Sequence, residues 1–260
     1  MNASSFRLGF IGGALNSAVG YAHYSAAQMD QKWELQAGVF SRHAATNQEA
    51  AERYGVSDSR CYKNLSELLD HETGNLDAIS ILTPTDNHAE TVIECLNRGL
   101  PVICEKPLAT TSDEAKEIQR VCRMQNGFLA MVYNYSGYPM VRELRRMIRE
   151  GELGDIVYVN VEMPQEGFIR TDPNGNKMVP QRWRARDGSI PTLYLDLGDH
   201  LHHLVRYLTG LKPLEVVSDQ SNQGWFDVID NVSCLCRFTK QVKGQIWFSK
   251  CALGHRNGLR

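Results

Sequence analysis

Three short stretches of this chain hold side chains at spacings that chemistry can use. Val102-Ile103-Cys104-Glu105-Lys106-Pro107 begins apolar, as a buried strand does, and ends in an acid, a lysine and a proline. An open α/β sheet gathers ligand chemistry at the carboxyl ends of its strands. Lys106 is therefore either a working group in such a crevice or a solvated lysine closing a strand. Asp196 and His200 stand four apart, which on a helix puts both on one face. The pair could handle a proton together, could be a capping acid beside a structural histidine, or, with His203 and Asp199, could belong to a metal cluster. No further ligand for such a cluster is at hand, so no metal site is expected. The third stretch is Gly12-Gly13-Ala14, running on to Gly20 between an apolar segment and a helical pattern. Glycines let backbone N–H groups approach a pyrophosphate, and a helix N-terminus adds positive potential. Ala14 stands where the usual G-x-G-x-x-G has glycine, and a tight structural turn is the other reading.

These groups need elements to hold them. Phe6–Ile11 is an expected strand leading through the glycine run to a helix that lasts to Met29. Glu34–Phe40 is the second strand candidate, followed by a helix over Ala44–Tyr54 that Gly55 stops. The ribose-reading position, about 20 residues past the glycine run, is Phe40-Ser41-Arg42, with no carboxylate to accept from a 2′-hydroxyl. Ser41 and Arg42 suit a 2′-phosphate, because guanidinium matches phosphate geometry. That favours NADP over NAD, with a solvated loop arginine as the plain alternative. Ala78–Leu82 reads as a strand covered on both faces, then a helix to Arg98, then the strand Pro101–Cys104. Thr111-Ser112-Asp113-Glu114 has capping-box spacing. Strands alternating with helices at this rhythm predict a doubly wound parallel sheet.

Beyond Phe128 the pattern changes. Phe128–Tyr133 is a strand candidate, Pro139–Glu150 a helix, and Ile156–Glu162 alternates as an antiparallel strand with one covered face would. Pro164–Pro191 has no clear period, and a long irregular connection in a compact domain is usually functional. Leu214–Ser218, Val232–Phe238 and Gly244–Phe248 complete the strand candidates. Two domains are expected, residues 1–127 and 128–260.

Composition limits the partners. A formal net charge of −2 over 260 residues gives no electrostatic case for nucleic acid or an anionic membrane surface. No apolar run approaches the roughly 18–20 residues that span a bilayer, and no signal-peptide pattern opens the chain. The seven cysteines are odd in number and scattered, which points to a reduced cytoplasmic protein.

The glycine-rich loop, Thr83-Pro84-x-x-x-His88 after a late strand and Glu105-Lys106-Pro107 after the next together resemble the Gfo/Idh/MocA family of glucose–fructose oxidoreductases, inositol dehydrogenases and related sugar dehydrogenases. Asp196-x-x-x-His200 matches the motif of its second half. The resemblance implies an α/β chain: an N-terminal Rossmann domain, then an α+β domain on a largely antiparallel open sheet. It implies hydride transfer between NAD(P) and a secondary hydroxyl of a sugar, inositol or related polyol. By that resemblance His200 is the proton acceptor, Asp196 orients it, and Lys106 donates to the reacting oxygen. The implied cofactor contacts are Gly12, Gly13, Ala14, Thr83, Pro84, His88, Glu105, Lys106 and Asn134, beside Ser41 and Arg42. The implied substrate contacts are Tyr135, Trp183 and Arg184 with Lys106, Asp196 and His200. Ser189-Ile190-Pro191-Thr192-Leu193 departs from the family's glycine-rich approach to the second motif. Family members run well past residue 260, so a shortened second domain is expected, with homo-oligomers forming through its sheet. The rival readings are an NAD-recycling glycosidase or lyase on the same fold and a non-catalytic dinucleotide-binding or regulatory protein.

Overall fold

The computed structural model describes residues 5–254, which divide into two compact units between Val132 and Tyr133. In the first unit five strands form one parallel sheet: β1 (Phe6–Gly12), β2 (Trp33–Val39), β3 (Ala78–Leu82), β4 (Val102–Glu105) and β5 (Leu129–Val132). Their order is β2-β1-β3-β4-β5, so the chain reverses its winding between β1 and β3. A crevice opens at such a reversal, outside the carboxyl ends of the strands. β5 pairs with β4, so the stretch after Phe128 completes the first sheet.

The helices α1 (Gly20–Met29), α2 (Ala44–Tyr54), α3 (Leu65–Glu72), α4 (His88–Asn97) and α5 (Ser112–Met124) supply two apolar layers. Ile79, Ile81, Val92, Leu96 and Ile118 belong to one, and Leu8, Phe10, Ala50 and Tyr54 to the other. Every residue of β3 is buried, which is why its sequence shows no polar alternation. Local signals fix the ends. Gly55 closes α2 in the left-handed region, and Thr111 with Glu114 forms the capping box of α5.

The second unit begins with α6 (Pro139–Arg149) and builds a four-stranded sheet from β6 (Tyr158–Pro164), β7 (Pro213–Ser221), β8 (Asn231–Phe238) and β9 (Lys243–Ser249). The order is β6-β9-β8-β7, and β7-β8-β9 is an antiparallel meander. β6, expected to be antiparallel, pairs parallel with β9. Side-chain alternation reports one covered face but not strand direction, and direction here is set by the meander bringing its last strand back beside β6. The covered face packs on α7 (Asp199–Thr209), where Leu201 and Val205 meet Val232, Phe238 and Phe248. The outward face leaves Val217, Leu235 and Tyr158 exposed.

Candidate active site

Most of the residues expected at a cofactor line the carboxyl edge of the first sheet. Gly12 ends β1 and, with Gly13, takes positive φ (81° and 78°). α1 begins at Gly20, where a Cβ would lie 2.0 Å from the Gly13 carbonyl oxygen. That position needs glycine for close approach, so Gly20 is the helix-start glycine of a loop lengthened by the residues between it and Ala14. Ser17 Oγ accepts from the Gly20 N–H at 3.3 Å, and the Tyr54 hydroxyl donates to the Gly13 carbonyl at 2.9 Å. The turn after β2 is held by the buried Asn47, whose Oδ1 accepts from the N–H groups of Phe40 and Ser41 at 2.7 and 3.1 Å. Arg42 in that turn is exposed and makes no ion pair among the described residues.

Thr83 follows β3, and its buried hydroxyl has no hydrogen-bond partner among the described residues. A buried polar atom left so is costly, and a ligand group that satisfies it is the simplest account. The glycine cradle and this hydroxyl together fit a dinucleotide.

His88 takes a different place from the cofactor contact expected of it. It is 1% exposed at the start of α4, with Nδ1 2.7 Å from the Pro107 carbonyl oxygen and Nε2 2.8 Å from that of Thr83. The ring braces two loops from beneath, one after β3 and one after β4. Glu105 ends β4 with its carboxylate already engaged, since Oε1 is 2.8 Å from His23 Nε2 of α1 and Oε2 accepts from the Lys106 N–H at 3.2 Å. His23 was not legible as a site residue; its one signal is that it sits one helical turn past Gly20.

In the second unit the expected single helix over Asp196 and His200 opens with a π-helical turn, Tyr194–Gly198, before α7. Asp196 lies in that turn and His200 in the first turn of α7, and both are buried (4% and 8% exposed). π-turns concentrate at functional sites because they re-aim side chains. The Asp196 carboxylate accepts from Arg184 Nε at 2.9 Å and Nη2 at 3.2 Å, and Lys250 Nζ is 2.7 Å from Oδ2. Trp183 lies under the Arg184 guanidinium, 4.3 Å from it. Arg184, expected to face substrate, is thus engaged with the acid.

Tyr135 packs edge-on to the His200 ring with centroids 4.9 Å apart, while Asn134 is exposed. Tyr133 is also edge-on to His200, at 6.1 Å, and stacks on His203 at 3.9 Å. Burial, helped by Asp199, pushes the Tyr133 phenol up to about 12. Burial likewise raises Tyr135 and lowers His203, with His202 adding to that. Tyr133, Tyr135 and His203 form an aromatic wall that these shifts keep uncharged near neutral pH. Among the described residues no three His, Cys, Asp or Glu side chains gather to hold a metal ion.

A parallel sheet with a glycine cradle at its reversal point, followed by a unit carrying a buried acid and histidine, defines a nicotinamide-type oxidoreductase scaffold. Residues 6–133 match the family described as oxidoreductase family, NAD-binding Rossmann fold, and residues 141–260 match the GFO/IDH/MocA C-terminal domain. The chain belongs to the GFO/IDH/MocA oxidoreductase family. It is 31% identical to the oxidoreductase YfiI of Bacillus subtilis, over 98% of this chain and 67% of that protein. It is 27% identical to levoglucosan dehydrogenase of Pseudarthrobacter phenanthrenivorans, over 80% of this chain and 57% of that one. Among solved structures it resembles an inositol dehydrogenase homologue from Azotobacter vinelandii complexed with NADH and myo-inositol. The TM-score is 0.86 at 27% identity, over 98% of this chain and 66% of that one. The chain thus spans about two thirds or less of the length of these relatives.

Proposed function

We propose that this chain transfers hydride between a nicotinamide dinucleotide and a secondary hydroxyl of a sugar, inositol or related polyol. The observation that carries the reading is the crevice edge of the first sheet. There the glycine cradle and the orphaned Thr83 hydroxyl lie on the same edge as Lys106. Relatives named for levoglucosan and for inositol support the substrate class.

Gly12, Gly13, Ala14, Thr83 and Pro84 hold the dinucleotide, with Glu105 and Asn134 toward its nicotinamide end. When bound, that cofactor supplies the hydride donor or acceptor. His200 accepts the hydroxyl proton, a task suited to an imidazole near neutral pH. Asp196 orients it and stabilises the imidazolium. Lys106 donates to the reacting oxygen and favours its alkoxide character. Tyr135 and Trp183 contact the substrate, and burial of Asp196 and His200 behind Tyr133 and Tyr135 limits proton exchange with water. The exposed Arg42 supports a 2′-phosphate and so NADP over NAD. The apolar outward face of the second sheet supports a homo-oligomer built through it, and seven free thiols suit a reducing, cytoplasmic setting.

The test is to titrate NAD and NADP separately and screen polyols with the tighter of the two. Lys106→Ala and His200→Ala are each expected to abolish turnover and leave cofactor binding near wild type. A variant that keeps wild-type kinetics removes its residue from the mechanism. Bond cleavage without net change in nicotinamide absorbance would instead mark a cofactor-recycling lyase or glycosidase. Stabilisation by cofactor without any turnover would mark a non-catalytic binding protein.

A further inference from the structure

Lys250 follows β9 and is 8% exposed. Burying an ammonium is expensive unless something fixed receives it. Its Nζ lies 2.7 Å from Asp196 Oδ2 and donates to Gln165 Oε1 at 3.1 Å. Asp196 already has a guanidinium from Arg184 on both carboxylate oxygens, which is the geometry that satisfies a buried carboxylate well. A second buried cation on the same acid adds desolvation cost where an apolar side chain would pack more cheaply.

The backbone does not need the charge. The Lys250 N–H donates to the Asp230 carbonyl at 2.8 Å, and its own carbonyl accepts from the Phe168 N–H at 3.0 Å. Neither bond depends on which side chain stands there. The main chain thus seats the residue, and among the described residues the ammonium reaches Asp196 and Gln165, with the Phe168 ring 5.9 Å away. Gln165 and Arg184 both lie in the irregular stretch Pro164–Pro191, so the Asp196–Lys250 pair is where that stretch, the π-turn and the end of β9 are joined.

We propose that Lys250 is a positioning residue for substrate recognition. With Arg184 it holds Asp196 as a fixed anion, and through Gln165 it sets the 164–191 segment against that acid. A carboxylate that among the described residues receives two cations is a stationary acceptor, which suits orienting a partner or a substrate hydroxyl and leaves proton abstraction to another group. This inference rests on the polyol reading only for its kinetic half.

The experiment compares Lys250→Met and Lys250→Arg in the full chain. The first readout uses no substrate and measures amide hydrogen exchange across 164–191. Lys250→Met is expected to speed exchange there while the first sheet is unchanged, and Lys250→Arg to restore protection. Unchanged exchange in Lys250→Met overturns the proposal whether or not any polyol is turned over. The second readout uses the polyol that wild-type protein oxidises. Lys250→Met should raise KM at least roughly tenfold with a smaller fall in kcat, and leave the cofactor Kd at the wild-type value. In an Asp196→Asn background the same change should add little, because the effect passes through Asp196. Full additivity, or an equal loss of cofactor affinity, overturns the positioning role. If wild type turns over no polyol, the proposed function fails while hydrogen exchange still decides this one.

Discussion

Replacing Gly20 by alanine is the sharpest test of the cofactor cradle. The added Cβ would stand 2.0 Å from the Gly13 oxygen, 2.5 Å from its carbonyl carbon and 2.8 Å from its Cα. Non-bonded carbon contacts settle near roughly 3.5 Å, so the loop must retreat by more than about 1 Å. All three atoms are backbone, and no rotamer change relieves the clash. Overpacking of this kind costs about 1–3 kcal/mol. Moving the Gly13 carbonyl also puts its bond from the Tyr54 hydroxyl at risk, another ~1 kcal/mol. The expected loss of stability in urea unfolding is therefore about 2–4 kcal/mol. Because the displaced atoms belong to the loop proposed to receive the pyrophosphate, dinucleotide affinity measured by calorimetry should fall more than roughly tenfold. Gly55→Ala is the control. Its Cβ meets nothing within 4 Å, though φ is +73°, so it should cost about 1 kcal/mol with no change in affinity. Wild-type affinity in Gly20→Ala, or equal stability losses in the two variants, would refute the close-approach argument.

Other changes probe single buried or exposed groups of the first unit. His88→Leu removes the ring from between the Thr83 and Pro107 carbonyls and should cost about 1–3 kcal/mol while weakening dinucleotide binding; a variant matching wild type in both urea midpoint and affinity would contradict the brace. Glu72 is 2% exposed and bonded by Arg60 and Tyr62. Burial alone would raise its pKa, but those bonds outweigh it and bring the net value below the ordinary 4.5. A depressed carboxylate stabilises the fold above its ordinary range and loses that contribution as pH falls through the folded value. Glu72→Gln should therefore cost about 3 kcal/mol at pH 7, and the gap to wild type in urea unfolding should narrow in acid. A gap that widened in acid would reverse the sign of the argument. Arg42→Ala should lower NADP affinity more than NAD affinity, because the exposed guanidinium is the group proposed to receive a 2′-phosphate; equal losses in parallel titrations would remove that role.

Much of the first unit was legible because its signals are local. Apolar runs without alternation marked strands covered on both faces, as β3 shows, and Gly55 and the Thr111–Glu114 box ended or began helices as their side chains dictate. Glu105 and Lys106 were readable as a charged ending to an apolar strand. Lys250 stands just past the strand candidate Gly244–Phe248 in a similar way, but nothing local distinguishes a buried lysine from a solvated one.

What only the tertiary structure decided are matters of pairing and burial between distant residues. Alternation in Tyr158–Pro164 is the same in either strand direction, so its parallel pairing with β9 had to come from the course of the meander. His88 looked like a cofactor contact in sequence, yet its two ring nitrogens meet carbonyls from separate loops. Gly20 gained its role from the Gly13 oxygen folding back on it. Spacing puts Asp196 and His200 on one helical face, but among the described residues the cations on Asp196 come from positions 12 residues before and 54 after it. A sequence states which groups are charged, small or apolar; which of them share a desolvated volume depends on chain crossings that no local pattern encodes.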